Sequence, residues 1–299
     1  MQIVSKGLTF TYNREADFHR QALQGVDLTI NEGDFFGIVG ETGSGKSTFI
    51  QHLNGLIKVQ GGVLWVGDFN LAPVDKQGKK QYKKMLKDLR HKVGMVFQYP
   101  EYQLFAETVF DDVAFGVKNF FPTLSDEEVE KKVAKAIDLV GLDYEKVKNK
   151  SPFELSGGQK RRVAIAGILV SNPEVLVLDE PVAGLDPVGK KRLMSLLHTL
   201  HDTGIVKTIV IVSHDMDEIS ENVNRVALFS NGRAVKVCTP KELFSQKDES
   251  SSRLGLPVTA YLSQKLSEVG IDINSDFKTE NFIKETVTKY IVKNYKETV

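Results

Sequence analysis

Apolar and polar positions alternate at Leu8, Phe10 and Tyr12 and again at Val26, Leu28 and Ile30. That period of two predicts a pair of half-buried antiparallel strands. Phe35 to Val39 is continuously apolar and reads as a buried strand, with further strand signals at Gly62 to Val66 and Val93 to Phe97. From about residue 100 to about 172 a helical period takes over. Ser125 and Glu128 form a capping box there, ahead of Val129, Val133, Ala136, Ile137 and Val140. Strand signals return at Val175 to Asp179 and Thr208 to Ser213, around a helix starting near Pro187. This is the alternation of a parallel sheet. The expected fold is α/β, with an antiparallel β subdomain at the start and an inserted α-helical subdomain. Lys247 to Ser252 is polar and reads as a linker between a main domain over 1–246 and a small C-terminal helical extension over 253–299. In that extension Phe282, Ile283, Val287, Tyr290 and Ile291 have helical spacing, and the stripe is read as packing.

Lys plus Arg and Asp plus Glu number 39 each. No global field therefore favours nucleic acid or an acidic membrane surface, and such a partner would need a local patch. One candidate patch holds Lys76, Lys79, Lys80, Lys83, Lys84, Lys87, Arg90 and Lys92, with Met85, Leu86 and Leu89 between them. It is read as a solvated helix, and no nucleic-acid partner is expected. The lone Cys238 excludes an internal disulfide and a cysteine-built zinc cluster, and fits a reducing compartment. No secretory leader is visible at Met1 to Lys6, and no apolar stretch approaches the ~20 residues of a membrane span. A soluble, cytoplasmic chain is expected.

The segment after Phe35 to Val39 is Gly40-Glu41-Thr42-Gly43-Ser44-Gly45-Lys46-Ser47-Thr48. Glycines at this spacing between a strand and a helix let consecutive N–H groups turn inward and cradle phosphates at the helix's positive end. Lys46 is placed for the β- and γ-phosphates, and the Ser47 hydroxyl for Mg2+ bridging them. The implied ligands are a nucleoside triphosphate, which the family resemblance described below makes ATP, and Mg2+. The strand Val175 to Leu178 ends in Asp179 and Glu180, where parallel-sheet proteins place their sites. Asp179 fits a Mg2+ ligand or water orienter, and Glu180 a general base on the attacking water. Taken alone, the two acids fit a capped turn before Pro181 equally well; the phosphate loop upstream selects the catalytic reading.

Leu155-Ser156-Gly157-Gly158-Gln159 offers a hydroxyl and backbone N–H groups at a helix start, which suits an anion and equally an ordinary serine cap. With this segment the chain resembles the ATP-binding cassette family over about residues 3 to 245, and the phosphate-loop NTPase fold follows as an expectation. The resemblance implies that Tyr12 stacks on adenine and that Ser156, Gly158 and Gln159 contact nucleotide. It further implies that Gln98 contacts Mg2+ and water, that Asp186 lies in the loop linking two sites, and that His214 contacts the γ-phosphate. Val182 departs from the family's usual threonine, away from the phosphate contacts.

Val96-Phe97-Gln98-Tyr99-Pro100-Glu101-Tyr102-Gln103-Leu104-Phe105, continued to Gly116, is similar to the second, A-prime type ATPase of energy-coupling factor transporters. That resemblance implies a second, homologous cassette as heterodimer partner, since one loop and one signature per chain complete no site alone. It also implies a transmembrane scaffold and a substrate-capture membrane protein importing vitamins or metal ions, with this chain peripheral on the cytoplasmic face of the cell membrane. The rivals are the ATPase of a conventional binding-protein-dependent importer and a soluble cassette acting on nucleic acid or ribosomes. Exposed aromatics between Tyr99 and Gly116 are expected to line a groove for a scaffold helix, with Glu101, Asp111 and Asp112 available to its basic residues.

Overall fold

The computed structural model describes residues 1–14, 19–72, 78–245 and 254–297. Strands β1 (Ile3–Tyr12), β2 (Arg20–Ile30) and β3 (Phe35–Gly40) lead into α1 (Lys46–Leu53), then β4 (Gly61–Val66), β5 (Phe69–Asn70), α2 (Lys79–Lys92) and β6 (Val93–Val96). A helical stretch follows: α3 (Val109–Phe120), α4 (Asp126–Leu139), α5 (Tyr144–Val147) and α6 (Gly157–Leu169). The sheet resumes with β7 (Val175–Asp179), α7 (Pro187–Asp202), β8 (Thr208–Val212), α8 (Met216–Asn222), β9 (Arg225–Ser230) and β10 (Arg233–Cys238). Helices α9 (Pro240–Ser245), α10 (Val258–Glu268) and α11 (Thr279–Glu297) end the chain. One sheet is antiparallel in the order β2-β1-β4-β5, and the other runs β10-β9-β3-β8-β7-β6. Within the second sheet only the β9–β10 pair is antiparallel.

The parallel strands are apolar on both faces because each face meets its own core. Phe36 and Ile38 of β3, Val175 and Val177 of β7, and Val210 and Val212 of β8 join the antiparallel sheet and α1 in one cluster. The alternate residues, Phe35, Val39, Leu176, Leu178, Ile209 and Ile211, join α3, α4, α6 and α7 in the other. Continuous apolar runs at these strands follow from burial on both sides. The helical stretch is held by the second cluster through Val113, Val133, Ile137, Val163 and Ala166. The capping box that starts α4 forms as the sequence predicts: Glu128 N–H donates to Ser125 Oγ, and Ser125 N–H to Glu128 Oε2 at 2.8 Å.

Several expectations change. The polar run Lys247 to Ser252 and Lys76 lie outside the described residues. Of the C-terminal stripe, Phe282 is buried, whereas Ile283, Val287 and Tyr290 are at least half exposed, so the predicted packing holds for one of those four; the Ile291 side chain lies outside the description. The extension nonetheless joins the main core through Ala260 and Phe277. It is also tied to α8, where Val258 N–H donates to Asp217 and Thr279 N–H to Glu221. The hairpin β9–β10 was not expected, although its turn residues Asn231 and Gly232, both at positive φ, carry the asparagine-glycine signal of a two-residue turn.

Leu176 is fully buried between β7 and the helical layer. Leu176→Ala is expected to cost about 3 kcal/mol of stability through lost transfer energy and the cavity left behind. Urea unfolding checks this, and a loss below about 1 kcal/mol would contradict the packing described.

Candidate nucleotide-binding site

Gly40 and Gly45 hold the phosphate loop in shapes that side chains oppose. Gly40 has φ +146°, and a Cβ there would lie 2.2 Å from the Phe229 carbonyl oxygen. Gly45, at φ +104°, would bring a Cβ within 2.6 Å of the Ala22 carbonyl oxygen. The loop is thus pressed between β2 and β9, and α1 starts at Lys46 immediately after it. Lys46 is buried, and its Nζ donates to the carbonyls of Gly40 at 2.7 Å and Glu41 at 2.9 Å. Burial holds this ammonium below the usual lysine range, against the pull of Glu180 and Asp179. Ser44 Oγ is buried without a hydrogen-bond partner, a donor and acceptor still to be used. The loop borders a cavity of about 170 Å3 lined by Tyr12, Arg20, Gly43, Gly45, Lys46, Ser47 and Thr48. Tyr12 lies at its edge with its hydroxyl 3.2 Å from Thr48 Oγ1. Arg20, whose Nη2 donates to the Gly43 carbonyl, escapes sequence reasoning because a lone arginine on a strand carries no motif.

The remaining chemical groups are aligned by strand register. Ile38 of β3 pairs with Val212 of β8, Val212 with Asp179 of β7, and Leu178 with Val96 of β6. The loop, His214, the two acids and Gln98 therefore leave neighbouring strands at the same end of the sheet, the place where open α/β sheets bind ligands. Burial pushes the Asp179 carboxyl up, partly offset by the Ser47 hydroxyl, with Glu180 adding to the rise and Lys46 opposing it. A desolvated carboxylate beside a hydroxyl is an oxygen donor set that suits Mg2+, which takes one or two protein ligands together with phosphate. Gln98 is exposed just past β6. Glu180 sits at φ +49°, an uncommon backbone for a glutamate, and its Oε2 lies 2.7 Å from His214 Nδ1. His214 is otherwise exposed and Glu180 mostly covered.

Ser156, Gly158, Gln159 and Asp186 lie elsewhere. Ser156 caps α6 in a reciprocal box with Gln159: Gln159 N–H donates to Ser156 Oγ and Ser156 N–H to Gln159 Oε1. The glycines at the start of α6 have no neighbours where a Cβ would stand, so they are open to a ligand's approach. Asp186 caps α7 by accepting from Gly189 N–H at 2.7 Å. All four line a cavity of about 1000 Å3, which shares no lining residue with the cavity at the phosphate loop. The aromatic segment is exposed as expected, at Tyr99, Tyr102, Phe105 and Phe115. Its acids are not free. Glu101 is paired with Arg161, Asp112 accepts from the N–H groups of Phe105 and Ala106, and Asp111 accepts from Thr108 Oγ1. These three carboxylates each have a donor within the chain.

Sequence reasoning also missed Glu218, buried on α8 behind His214. Ser213 Oγ donates to its Oε2 at 2.8 Å, and its Oε1 has no partner. Burial pushes its carboxyl up to about 7, with Asp215 and Glu180 adding to the rise and Ser213 and Lys190 opposing it. Folded chains therefore keep this proton at pH values where unfolded chains have lost it. Its contribution to stability is complete below the unfolded value near 4.5 and is lost as pH climbs to about 7, on the order of 3 kcal/mol in all. Glu218→Gln is expected to flatten that decline and to exceed wild type in stability above neutrality. Denaturant unfolding at about pH 5 and about pH 8 checks it, and parallel pH profiles for the two proteins would contradict it.

The family model for ABC transporters matches residues 23–183. The energy-coupling factor transporter ATP-binding protein EcfA2 of Clostridioides difficile is 44% identical over 293 residues, covering 97% of this chain and 98% of that protein. The EcfA2 protein of Enterococcus faecalis is 47% identical over 271 residues, 90% of each chain. Among solved structures, cbiO1 from Clostridium perfringens, part of the ABC transporter complex cbiONQ, matches with a TM-score of 0.71 at 35% identity, covering 90% of this chain and 96% of that one. The dimeric cassette MJ0796, in a post-hydrolysis state with ADP and Pi, matches with a TM-score of 0.68 at 30% identity, covering 80% and 98%. Identity of this order over nearly the whole of both chains places the protein in the ABC transporter family, among the energy-coupling factor transporter ATP-binding proteins of the EcfA2 type.

Proposed function

We propose that this ATP-binding subunit hydrolyses ATP at a site shared with a second, similar cassette, and so drives import of a vitamin or metal ion. The membrane partners in this reading are a transmembrane scaffold and a small substrate-capture protein, with the chain at the cytoplasmic face. The observation that carries the shared site is the separation of the two cavities. One holds the phosphate loop and the other the signature, with no residue in common.

In this reading Lys46 exchanges its carbonyl partners for the β- and γ-phosphates, and the N–H groups of residues 43 to 48 and the buried Ser44 hydroxyl bind the phosphate oxygens. Tyr12 stands at the cavity edge for the base. Ser47 and Asp179, with Gln98 beside them, would hold Mg2+, which when bound offsets the charge developing on the transferred group. Glu180 takes the proton of the attacking water, and His214, whose Nδ1 lies 2.7 Å from the Glu180 Oε2, orients the carboxylate and reaches the γ-phosphate. Ser156, Gly158 and Gln159 face nucleotide held by the partner, and Asp186 lies at the same junction.

Glu180→Gln is expected to keep ATP affinity and lower turnover by about a hundredfold or more, the usual reach of a general base. Turnover near wild type would show that another group positions the water. Lys46→Ala is expected to abolish measurable binding of a labelled ATP analogue. The shared site is tested by mixing Ser156→Arg chains with partner cassettes disabled at their own phosphate loop. Loss of ATP held by the mutant's own loop would sink the arrangement, as would recovery of ribosomes, DNA or a binding-protein system in place of a scaffold and capture protein.

A further inference from the structure

Arg161 lies in the second turn of α6, past the signature, and has no part in the nucleotide chemistry described above. Its side chain is 4% exposed, yet every nitrogen of its guanidinium is engaged. Nε and Nη2 each donate at 3.0 Å to one oxygen of the Glu101 carboxylate, and Nη1 donates to the carbonyls of Pro181 at 2.9 Å and Ala183 at 3.0 Å. The ring of Tyr99 lies 5.9 Å from the guanidinium carbon. Three segments far apart in sequence thus meet at one cation: the signature helix, the stretch after Gln98, and the stretch after Glu180.

A buried ion pair is a weak source of stability, because desolvation offsets most of the attraction and an apolar pair of similar volume does as well. What the guanidinium supplies that an apolar pair lacks is direction, since its planar fork fixes all its acceptors relative to one another. The residues it steadies need that. Glu180 and Tyr99 both sit at positive φ, +49° and +56°, conformations that persist only where the surroundings over-determine them. Pro181, whose carbonyl Arg161 holds, directly follows Glu180. Tyr99 lies two residues before Glu101. Beyond Glu101 the chain presents Tyr102, which is 84% exposed and whose ring meets only that of Tyr99 among the aromatic contacts of the described residues.

We propose that Arg161 is a positioning residue that ties the backbone of Glu180 and the exposed segment around Tyr102 to the signature helix, so that a partner docked on that segment sets all three together. Its contacts make no use of nucleotide, so its influence falls on turnover and on the response to the docked partner while ATP affinity at the phosphate loop stays as it is. The inference rests on the proposed function, in which that segment faces a membrane partner and Glu180 activates water.

The test uses the whole complex captured from membranes through a tag on this chain, with hydrolysis expressed per ATP-occupied site so that misfolded protein does not count. Glu101→Gln keeps shape and removes the charge, and Arg161→Lys keeps the charge and removes the fork. Each is expected to lower kcat by roughly tenfold with KM for ATP changed by less than about twofold, a size typical of coupling between sites. Each is also expected to bring the ratio of hydrolysis in the complex to hydrolysis by the isolated cassettes towards one. The double variant should lose no more than Arg161→Lys alone, because both substitutions act through one junction. Wild-type kcat in both single variants, a raised KM at unchanged kcat, or a double loss equal to the product of the single ones would each overturn the inference while leaving the proposed function standing. A wild-type complex that hydrolyses no ATP would overturn the proposed function and the inference with it.

Discussion

Burial of the central strands on both faces is the constraint from which the site's geometry descends. Strands β3, β8 and β7 give alternate residues to two different cores, so a shift of one residue in any of them would exchange the two sets of side chains and leave neither core filled. That fixes the register, and the register fixes where each strand ends. Because Gly40 and Asp179 end β3 and β7, and His214 and Gln98 come just after β8 and β6, register brings them to a common level at the sheet's edge. Charges are then gathered where the core stops. Lys46, Asp179 and Glu218 are all partly or wholly desolvated, and all three are pushed toward their neutral forms. An anionic ligand and its cation would restore to Lys46 and Asp179 the solvation that folding removed.

Much of this was legible in the residues because the signals are local. A glycine loop between a strand and a helix, two acids ending an apolar run, and a serine capping box each complete their meaning within about ten residues. The fold class and the antiparallel pairing of the opening strands followed from the same short-range periodicity. Contacts that bridge distant segments were not legible. Nothing around Glu101 announces that its carboxylate is taken by Arg161, and it was read as available for a partner. The use of Asp112 Oδ2 by two backbone N–H groups upstream of it was equally invisible. In the C-terminal helix the period of the apolar stripe was read correctly, but Ile283, Val287 and Tyr290 have no core above them. Periodicity reports a face and not what covers it.

The division between the two cavities gives the energy-coupling factor family membership a physical counterpart. Ser156 and Gln159 use a hydrogen bond each to cap α6, yet the helix start remains open where Gly157 and Gly158 lack a side chain. In the proposed reading each cavity is half of a site that a second cassette completes, and affinity for nucleotide would then be a property of the pair.

The attachment of the C-terminal helices changes what counts as the working unit. Val258 and Thr279 place their backbone N–H groups on Asp217 and Glu221, and α8, which carries both acids, begins two residues after His214. Ala260 and Phe277 meanwhile fill the same core as the strands beneath the site. The extension is therefore a buttress for the histidine's helix, and a load placed on the tail of the chain would be felt at the far side of the ATP site as a change in stiffness.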